Sequence, residues 1–268
     1  MDLLSQLTRI PGVRGLWQRY PSGSIPDRVR FGIWPRPHYA YGVNFAADLA
    51  KKLGLREVSV IEFGVAGGNG LLALEECAAR IGDYHGVKVH TWGFDAGVGL
   101  PMAMDYRDFP SLWEQGDYVM DVAALKARLC SAQLLLGNVA ETIPEFLKRA
   151  DVPPIGFISF DLDYYSSTAA AFKIFEGAQS SRLPRACCYF DDIVWPEAAC
   201  HSDYTGELLA IAEYNASHET CKVAKVANFQ WTRPHAAQWN EQIYVHHDFT
   251  HPLYTVKLRA GEQLPLIP

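Results

Sequence analysis

Two short acidic segments carry the strongest chemical signal in this 268-residue chain: Phe160-Asp161-Leu162-Asp163-Tyr164-Tyr165 and Phe190-Asp191-Asp192-Ile193. Each follows an apolar run that reads as a buried strand, and in an open α/β sheet the carboxyl ends of the strands line the ligand crevice. Four carboxylates brought to one crevice repel each other unless a cation neutralises them. An all-oxygen set with no histidine or cysteine beside it favours a hard ion, Mg²⁺ first and Ca²⁺ or Mn²⁺ next. The competing reading makes some of them helix caps, and Asp163, followed by Ser166, Ser167 and Thr168, is the one best placed for that role.

A second signal lies upstream, in VSVIEFGVAGGNG over residues 58–70, where an apolar strand passes through Glu62 into a turn holding Gly64, Gly67, Gly68 and Gly70. Glycine at such a turn lets a ligand reach main-chain N–H groups, which is how α/β folds cradle nucleotide-like molecules. Gly68-Asn69-Gly70-Leu71-Leu72-Ala73 fits the loose G-x-G-x-x-A dinucleotide pattern, but the strand ends four or more residues before it. Glu62 at the strand end would also repel a pyrophosphate at contact distance. A cofactor carrying positive charge and no phosphate reverses that sign, and S-adenosylmethionine, with its sulfonium and ammonium, is such a molecule.

These residues need a scaffold, and the hydrophobic pattern supplies one. Residues 39–54 read as an amphipathic helix stopped by Gly54, followed by a strand at 58–63 and a helix at 71–81. A strand at 88–94, an insertion at 96–122, a helix and a short strand at 133–136 come next. Then follow a helix at 142–149, a strand at 155–160, a helix at 168–175, a strand at 186–190 and a helix at 207–216. The alternation predicts right-handed βαβ crossovers and a largely parallel, buried sheet with helices on both faces. Strand-like runs at 229–233 and 242–247 predict a terminal antiparallel hairpin, with Trp231, Trp239 and His235 packing it. Five prolines within residues 1–37 mark an N-terminal arm that packs on the domain or on a second subunit, leaving 38–268 as the main domain.

Composition narrows the function classes. With 49% hydrophobic residues the chain can build a substantial core, and 24 basic against 30 acidic residues give a net charge of −6. No Lys/Arg-rich run could track a phosphate backbone, so nucleic acid is a poor partner. No secretory leader or membrane span is expected, and Cys77, Cys130, Cys187, Cys188, Cys200 and Cys221 read as scattered thiols of a cytoplasmic protein. Adjacent His246 and His247 on a strand face opposite ways, and His201 beside Cys200 lacks further soft ligands at zinc spacing.

The pattern E-x-G-x-x-G-G-x-G from Glu62 to Gly70 resembles motif I of class I S-adenosylmethionine-dependent methyltransferases. DLDYYSST resembles the D-G-D-x-Y-x-S-T motif of the macrocin O-methyltransferase family, which methylates sugar hydroxyls. FDAGVGLP, GNVAETIP and FDDI are similar to three further segments of that family, covering roughly residues 55–195 in order and spacing. The resemblance implies a Rossmann-like class I methyltransferase fold with a seven-stranded sheet. It implies Asp161, Asp191 and Asp192 as Mg²⁺ ligands and Asp163 as general base. Glu62, Gly64, Gly67, Gly68, Asn69, Asp95, Asn138 and Asp161 would contact S-adenosylmethionine, with Asp95 on the ribose and Asn138 near the adenine. Leu162 departs from the family glycine, Ala96 and Val98 depart around its phenylalanine position, and residues 102–120 form a longer insertion.

The chemistry these parts serve is in-line methyl transfer to an alcohol, whose pKa of about 15 lies far above that of an aspartate. A metal ion beside the hydroxyl closes that gap, and vicinal diols of sugars or catechols suit such a site. The acceptor is then a small molecule, a sugar or glycoside, with a catechol-type aromatic or a nicotinamide-dependent oxidoreductase as alternatives. Tyr106, Phe109, Trp113 and Tyr118 give the insertion the character of a lid over an acceptor or of a surface loop packed on its own aromatics. Tyr39 and Tyr41 either close the site from the N-terminal side or pack in the core.

Overall fold

The computed structural model describes residues 3–194, 202–259 and 261. Short helices α1 (Leu3–Leu7), α2 (Val13–Arg19) and α3 (Ile25–Phe31) lead into the long α4 (Pro37–Lys52), with Pro37 in its first turn and Lys51 and Lys52 in its last. Both ends suit a helix, since proline at the start forfeits no intrahelical bond and basic residues at the end complement the dipole. The chain continues through β1 (Glu57–Phe63), α5 (Asn69–His85), β2 (Lys88–Asp95), α6 (Val122–Arg128), β3 (Gln133–Leu136), α7 (Val139–Leu147) and β4 (Ile155–Phe160). It closes with α8 (Tyr165–Ala171), β5 (Arg182–Phe190), α9 (Gly206–Ser217), β6 (Cys221–Lys225) and β7 (Ile243–Asp248).

The seven strands lie in the order β3-β2-β1-β4-β5-β7-β6, parallel except where β7 runs antiparallel between β5 and β6. Alternate residues of β1 face two different cores. Val58 and Val60 pack with α4 and α5, whereas Ile61 and Phe63 pack with α7, α8 and α9. This double burial explains why β1 and β4 read as unbroken apolar runs rather than alternating ones. Strand order reverses between β1 and β4, which makes the carboxyl ends of these two strands the topological switch point of the sheet.

The antiparallel end of the sheet is present, but its outer strand is not where the aromatic run at 229–233 predicts it. Phe229–Thr232 forms a 3₁₀ turn entered through Asn228 at φ 58°, and the partner of β7 is β6 at Cys221–Lys225. CKVAK holds one buried residue, Val223, because β6 is the sheet edge, and its two lysines suit an edge that must not pair further. Trp231 is accordingly 79% exposed rather than packed, while Trp239 packs edge-on to Phe229 and tilted against Tyr41 with centroids 5.7 and 6.0 Å away.

Residues 3–36 fold back on the same chain. Arg233 Nη2 donates to the Val29 carbonyl at 2.5 Å, and His235 Nε2 lies 2.9 Å from Thr8 Oγ1. His246 is buried against Tyr214, at 2.9 Å, whereas His247 on the opposite face meets the Tyr254 hydroxyl. Cys200 and His201 lie outside the described residues. No helix among the described residues is long and apolar enough to cross a membrane.

Candidate active site

A cleft of about 920 Å³ opens at the carboxyl ends of β1, β2, β4 and β5. Its wall includes Glu62, Gly64, Gly67, Gly68, Asn69, Asp95, Asn138, Asp161, Asp163, Asp191 and Asp192, so the structure brings every site residue expected from sequence to one place.

Glu62, the penultimate residue of β1, points toward the α4–α5 face and is 1% exposed. The Tyr39 hydroxyl donates to its Oε1 at 2.5 Å, while Oε2 has no hydrogen-bond partner. Burial pushes its carboxyl up to about 8, against the opposing pull of the Tyr39 hydroxyl and the Arg36 guanidinium. The orphaned oxygen is a buried acceptor beside the cleft, a costly arrangement unless a donor or cation arrives.

The glycines around it have separable reasons. A Cβ on Gly70 would lie 1.8 Å from Glu62 Oε1, so this glycine makes room for the carboxylate. Gly64 sits at φ 80° with the Asp161 carbonyl 1.6 Å from where its Cβ would stand, which locks the end of β1 to the end of β4. A Cβ on Gly67 would meet nothing within 4 Å, so the bare backbone there faces open cleft.

Asp95 at the end of β2 ties this turn down. Its Oδ2 accepts from the Val65 and Ala66 N–H groups, both at 2.8 Å, and its Oδ1 from Gly97 N–H at 2.6 Å. A carboxylate offers about four acceptor positions, so Asp95 keeps capacity for a ligand hydroxyl while also serving as a turn anchor. Asn138 Oδ1 accepts from Ala140 N–H at 2.9 Å and caps α7, which fixes it at the rim beyond β3.

Asp161, Asp191 and Asp192 converge so that one carboxylate oxygen from each lies within 4.8 Å of the others. Tyr189 donates to Asp191 Oδ1 at 2.5 Å, and Gln242 Nε2 holds the Asp191 carbonyl at 2.7 Å. Asp192 Oδ2 accepts from Asp163 N–H at 2.9 Å, and Asp192 N–H in turn donates to Glu207 Oε2 at 3.1 Å. Burial first, then the neighbouring carboxylates, holds Asp161 and Asp192 well above the usual carboxylate range. Oxygen-only donors, mutual repulsion and shared burial fit a hard divalent cation held by these three side chains.

Asp163 adopts φ 58°, a left-handed conformation uncommon for a side-chain-bearing residue, and Tyr164 N–H closes onto the Leu162 carbonyl at 2.5 Å across it. Strain of this kind costs about 1–3 kcal/mol and accompanies the placement of Asp163 on the cleft wall, with Leu162 before it buried between cleft and core. The N-cap of α8 is Tyr164, which makes no side-chain cap bond, and the free Ser166 N–H of the first turn is held by Asp108, so the capping role open to Asp163 from sequence is not taken. Burial, together with Asp161 and Asp191, pushes its carboxyl up to about 7.

The insertion between β2 and α6 closes the other wall. Its aromatics divide: Trp113 and Tyr118 line the cleft with ring centroids 5.9 Å apart, Phe109 is buried, and Tyr106 is 69% exposed and outside the cleft wall. Gly116 N–H bonds the Leu100 carbonyl at 2.9 Å and Leu100 N–H the Asp117 carbonyl at 2.8 Å, pairing the two limbs. Asp108 pins the insertion to the start of α8, accepting from Ser166 N–H at 2.8 Å, Ser166 Oγ at 2.9 Å and Met104 N–H at 2.9 Å.

Sequence reasoning did not single out Arg36, Asp108, Tyr189, Glu207 or Gln242. They act on partners 15 or more residues away, except that Tyr189 lies two residues before Asp191 and that Asp108 also holds Met104 four residues before it, and none carries a motif of its own. Tyr39 resolves as a buried partner of Glu62, and Tyr41 packs against Phe229.

No protein-family model and no curated protein sequence matches the chain. Solved structures do. The crystal structure of the calicheamicin methyltransferase CalS11 aligns with a TM-score of 0.52 at 19% identity, covering 92% of this chain and 96% of the other. The O-methyltransferase NovP aligns with a TM-score of 0.48 at 13% identity over 79% of this chain and 80% of the other. The CalS11 alignment and the sheet order together show the Rossmann-like fold of the class I methyltransferases.

Proposed function

We propose that the protein is an O-methyltransferase that moves the methyl group of S-adenosylmethionine to a hydroxyl of a sugar-like diol, with a hard divalent cation, Mg²⁺ foremost, in the acidic cluster. One observation carries this reading: the glycine turn with its part-unpartnered Glu62, the three-carboxylate cluster and Asp163 in its left-handed conformation all line a single cleft. The calicheamicin methyltransferase CalS11, which shares this fold, supports it as analogy.

The protein's own residues divide the work. The bare backbone at Gly67 and the carboxylate of Glu62 hold the cofactor, while Asp95 fixes the turn and presents lone pairs to its ribose. Asp161, Asp191 and Asp192 would hold the cation, which would supply positive charge to stabilise the developing alkoxide of the acceptor. Asp163 receives the hydroxyl proton as the oxygen forms its bond to the methyl carbon and the carbon–sulfur bond breaks. Trp113 and Tyr118 give the acceptor an apolar wall and exclude water from the reacting atoms.

A dinucleotide reading of Gly68 to Ala73 fares worse. The space that Gly70 leaves open is filled by Glu62, not available to a pyrophosphate. Calorimetric titration with S-adenosylhomocysteine and with NADH separates the two. Heat with S-adenosylhomocysteine alone is expected, and heat with NADH alone would end the proposal.

A further inference from the structure

Arg36 is the one charged side chain lining the cleft that has no part in the proposed division of work. Six carboxylates line the cleft, from Glu62, Asp95, Asp161, Asp163, Asp191 and Asp192, and among the described residues Arg36 is the only lysine or arginine that lines it with them. Arg36 precedes Pro37 at the start of α4, and its guanidinium stands 5.3 Å over the Tyr39 ring, whose hydroxyl is bonded to Glu62 and lies 3.3 Å from Ser159 Oγ. Those contacts put the charge at the junction of β1 and β4, away from Asp95 and Asn138 at the ends of β2 and β3. Burial opposes its charge, and the Tyr39 hydroxyl, Glu62, Asp161 and Asp191 sustain it. Yet Arg36 forms no ion pair among the described residues, so its planar fork of donors is available.

S-adenosylmethionine has one group that such a cleft should reject. Its sulfonium and ammonium suit a ring of carboxylates, but its α-carboxylate does not, and a buried anion among like charges requires a cation at contact distance. With the adenosine directed toward Asp95 and Asn138, the amino-acid end of the cofactor falls at the β1–β4 switch point, where Arg36 stands. We propose that Arg36 is the receptor for the α-carboxylate of the cofactor, selecting a ligand that carries an intact amino acid over one that carries only a cation. This assignment rests on the S-adenosylmethionine reading of the cleft.

The experiment is a two-by-two comparison of wild type and Arg36→Gln with S-adenosylhomocysteine and its decarboxylated analogue S-adenosylthiopropylamine, by calorimetry. Loss of a charge-assisted, forked contact should weaken S-adenosylhomocysteine binding roughly 10- to 100-fold in Arg36→Gln. The decarboxylated analogue is a cation, and removing Arg36 makes the cleft more negative, so its affinity should stay the same or increase. Arg36→Lys, which keeps the charge without the fork, should fall between wild type and Arg36→Gln for S-adenosylhomocysteine. Equal affinity of wild type and Arg36→Gln for S-adenosylhomocysteine would overturn the assignment while leaving the cofactor reading intact. Equal weakening of both ligands, with an unchanged melting profile, would also overturn it, since Arg36 would then act without reference to the carboxylate. No binding of either ligand to wild type would remove the cofactor reading itself.

Discussion

Two glycines three residues apart should respond to the same methyl group in opposite ways, and the pair isolates packing from ligand contact. In Gly70→Ala the new methyl would stand 1.8 Å from Glu62 Oε1 and 3.1 Å from the Tyr39 hydroxyl, among atoms with almost no solvent exposure. Either the carboxylate moves and its 2.5 Å bond to Tyr39 is lost, or α5 shifts away from β1. Overpacking of this kind costs about 1–3 kcal/mol, and a stranded buried polar pair about as much again, for a total of about 2–6 kcal/mol. In a domain of this size the melting temperature should fall by roughly 4–24 °C. In Gly67→Ala the methyl meets nothing within 4 Å, so the melting temperature of the free protein should stay within roughly 2 °C of wild type. The same methyl should, however, stand where the cofactor approaches and weaken S-adenosylhomocysteine binding at least tenfold, or about 1.4 kcal/mol. Differential scanning fluorimetry with and without the ligand reads both effects. A Gly67→Ala protein that binds S-adenosylhomocysteine like wild type would refute the claim that the bare turn is the contact surface, and a Gly70→Ala protein of wild-type stability would refute the packing argument.

Other outcomes follow from the same geometry. Asp163→Asn should lower kcat by roughly 10²-fold or more with S-adenosylhomocysteine affinity unchanged, and wild-type turnover with a confirmed acceptor would remove it as the base. Asp192→Ala should weaken Mn²⁺ binding, measured by electron paramagnetic resonance, and retention of wild-type affinity would exclude this cluster as the cation site. Asp108→Ala strands two N–H groups and a hydroxyl at the join between the insertion and α8, at a cost of about 1–3 kcal/mol, and should speed proteolysis within residues 96–121. Because burial raises Glu62 to about 8 in the folded protein, its contribution to stability is full below the unfolded carboxylate range and is lost as pH rises through about 8. Glu62→Gln should flatten that part of the stability–pH curve, and an unchanged curve would show that Glu62 does not titrate there.

The parts of the molecule legible from sequence share a physical reason. β1, β4 and β5 are buried along almost their whole length, so hydrophobicity alone announces them, and the residues at their ends are acidic because the crevice is there. β6 was hidden because an edge strand needs no apolar run, while FQWTR, aromatic enough to read as a strand, turns at Asn228 instead. The glycine cluster was legible as a whole, but not its division of labour, because only the fold shows that Gly70 yields to Glu62 and Gly67 to open space. Arg36, Glu207 and Gln242 belong to the site through contacts across the tertiary structure, which no local pattern encodes.

The most direct test of the central claim is transfer of an isotopically labelled methyl group from S-adenosylmethionine to small-molecule diols, with the product position assigned by NMR and the reaction run with and without a chelator. The label should appear on a hydroxyl oxygen, vanish on chelation and return with Mg²⁺. A label on nitrogen or carbon, or transfer to oxygen that is indifferent to chelation, would contradict the account.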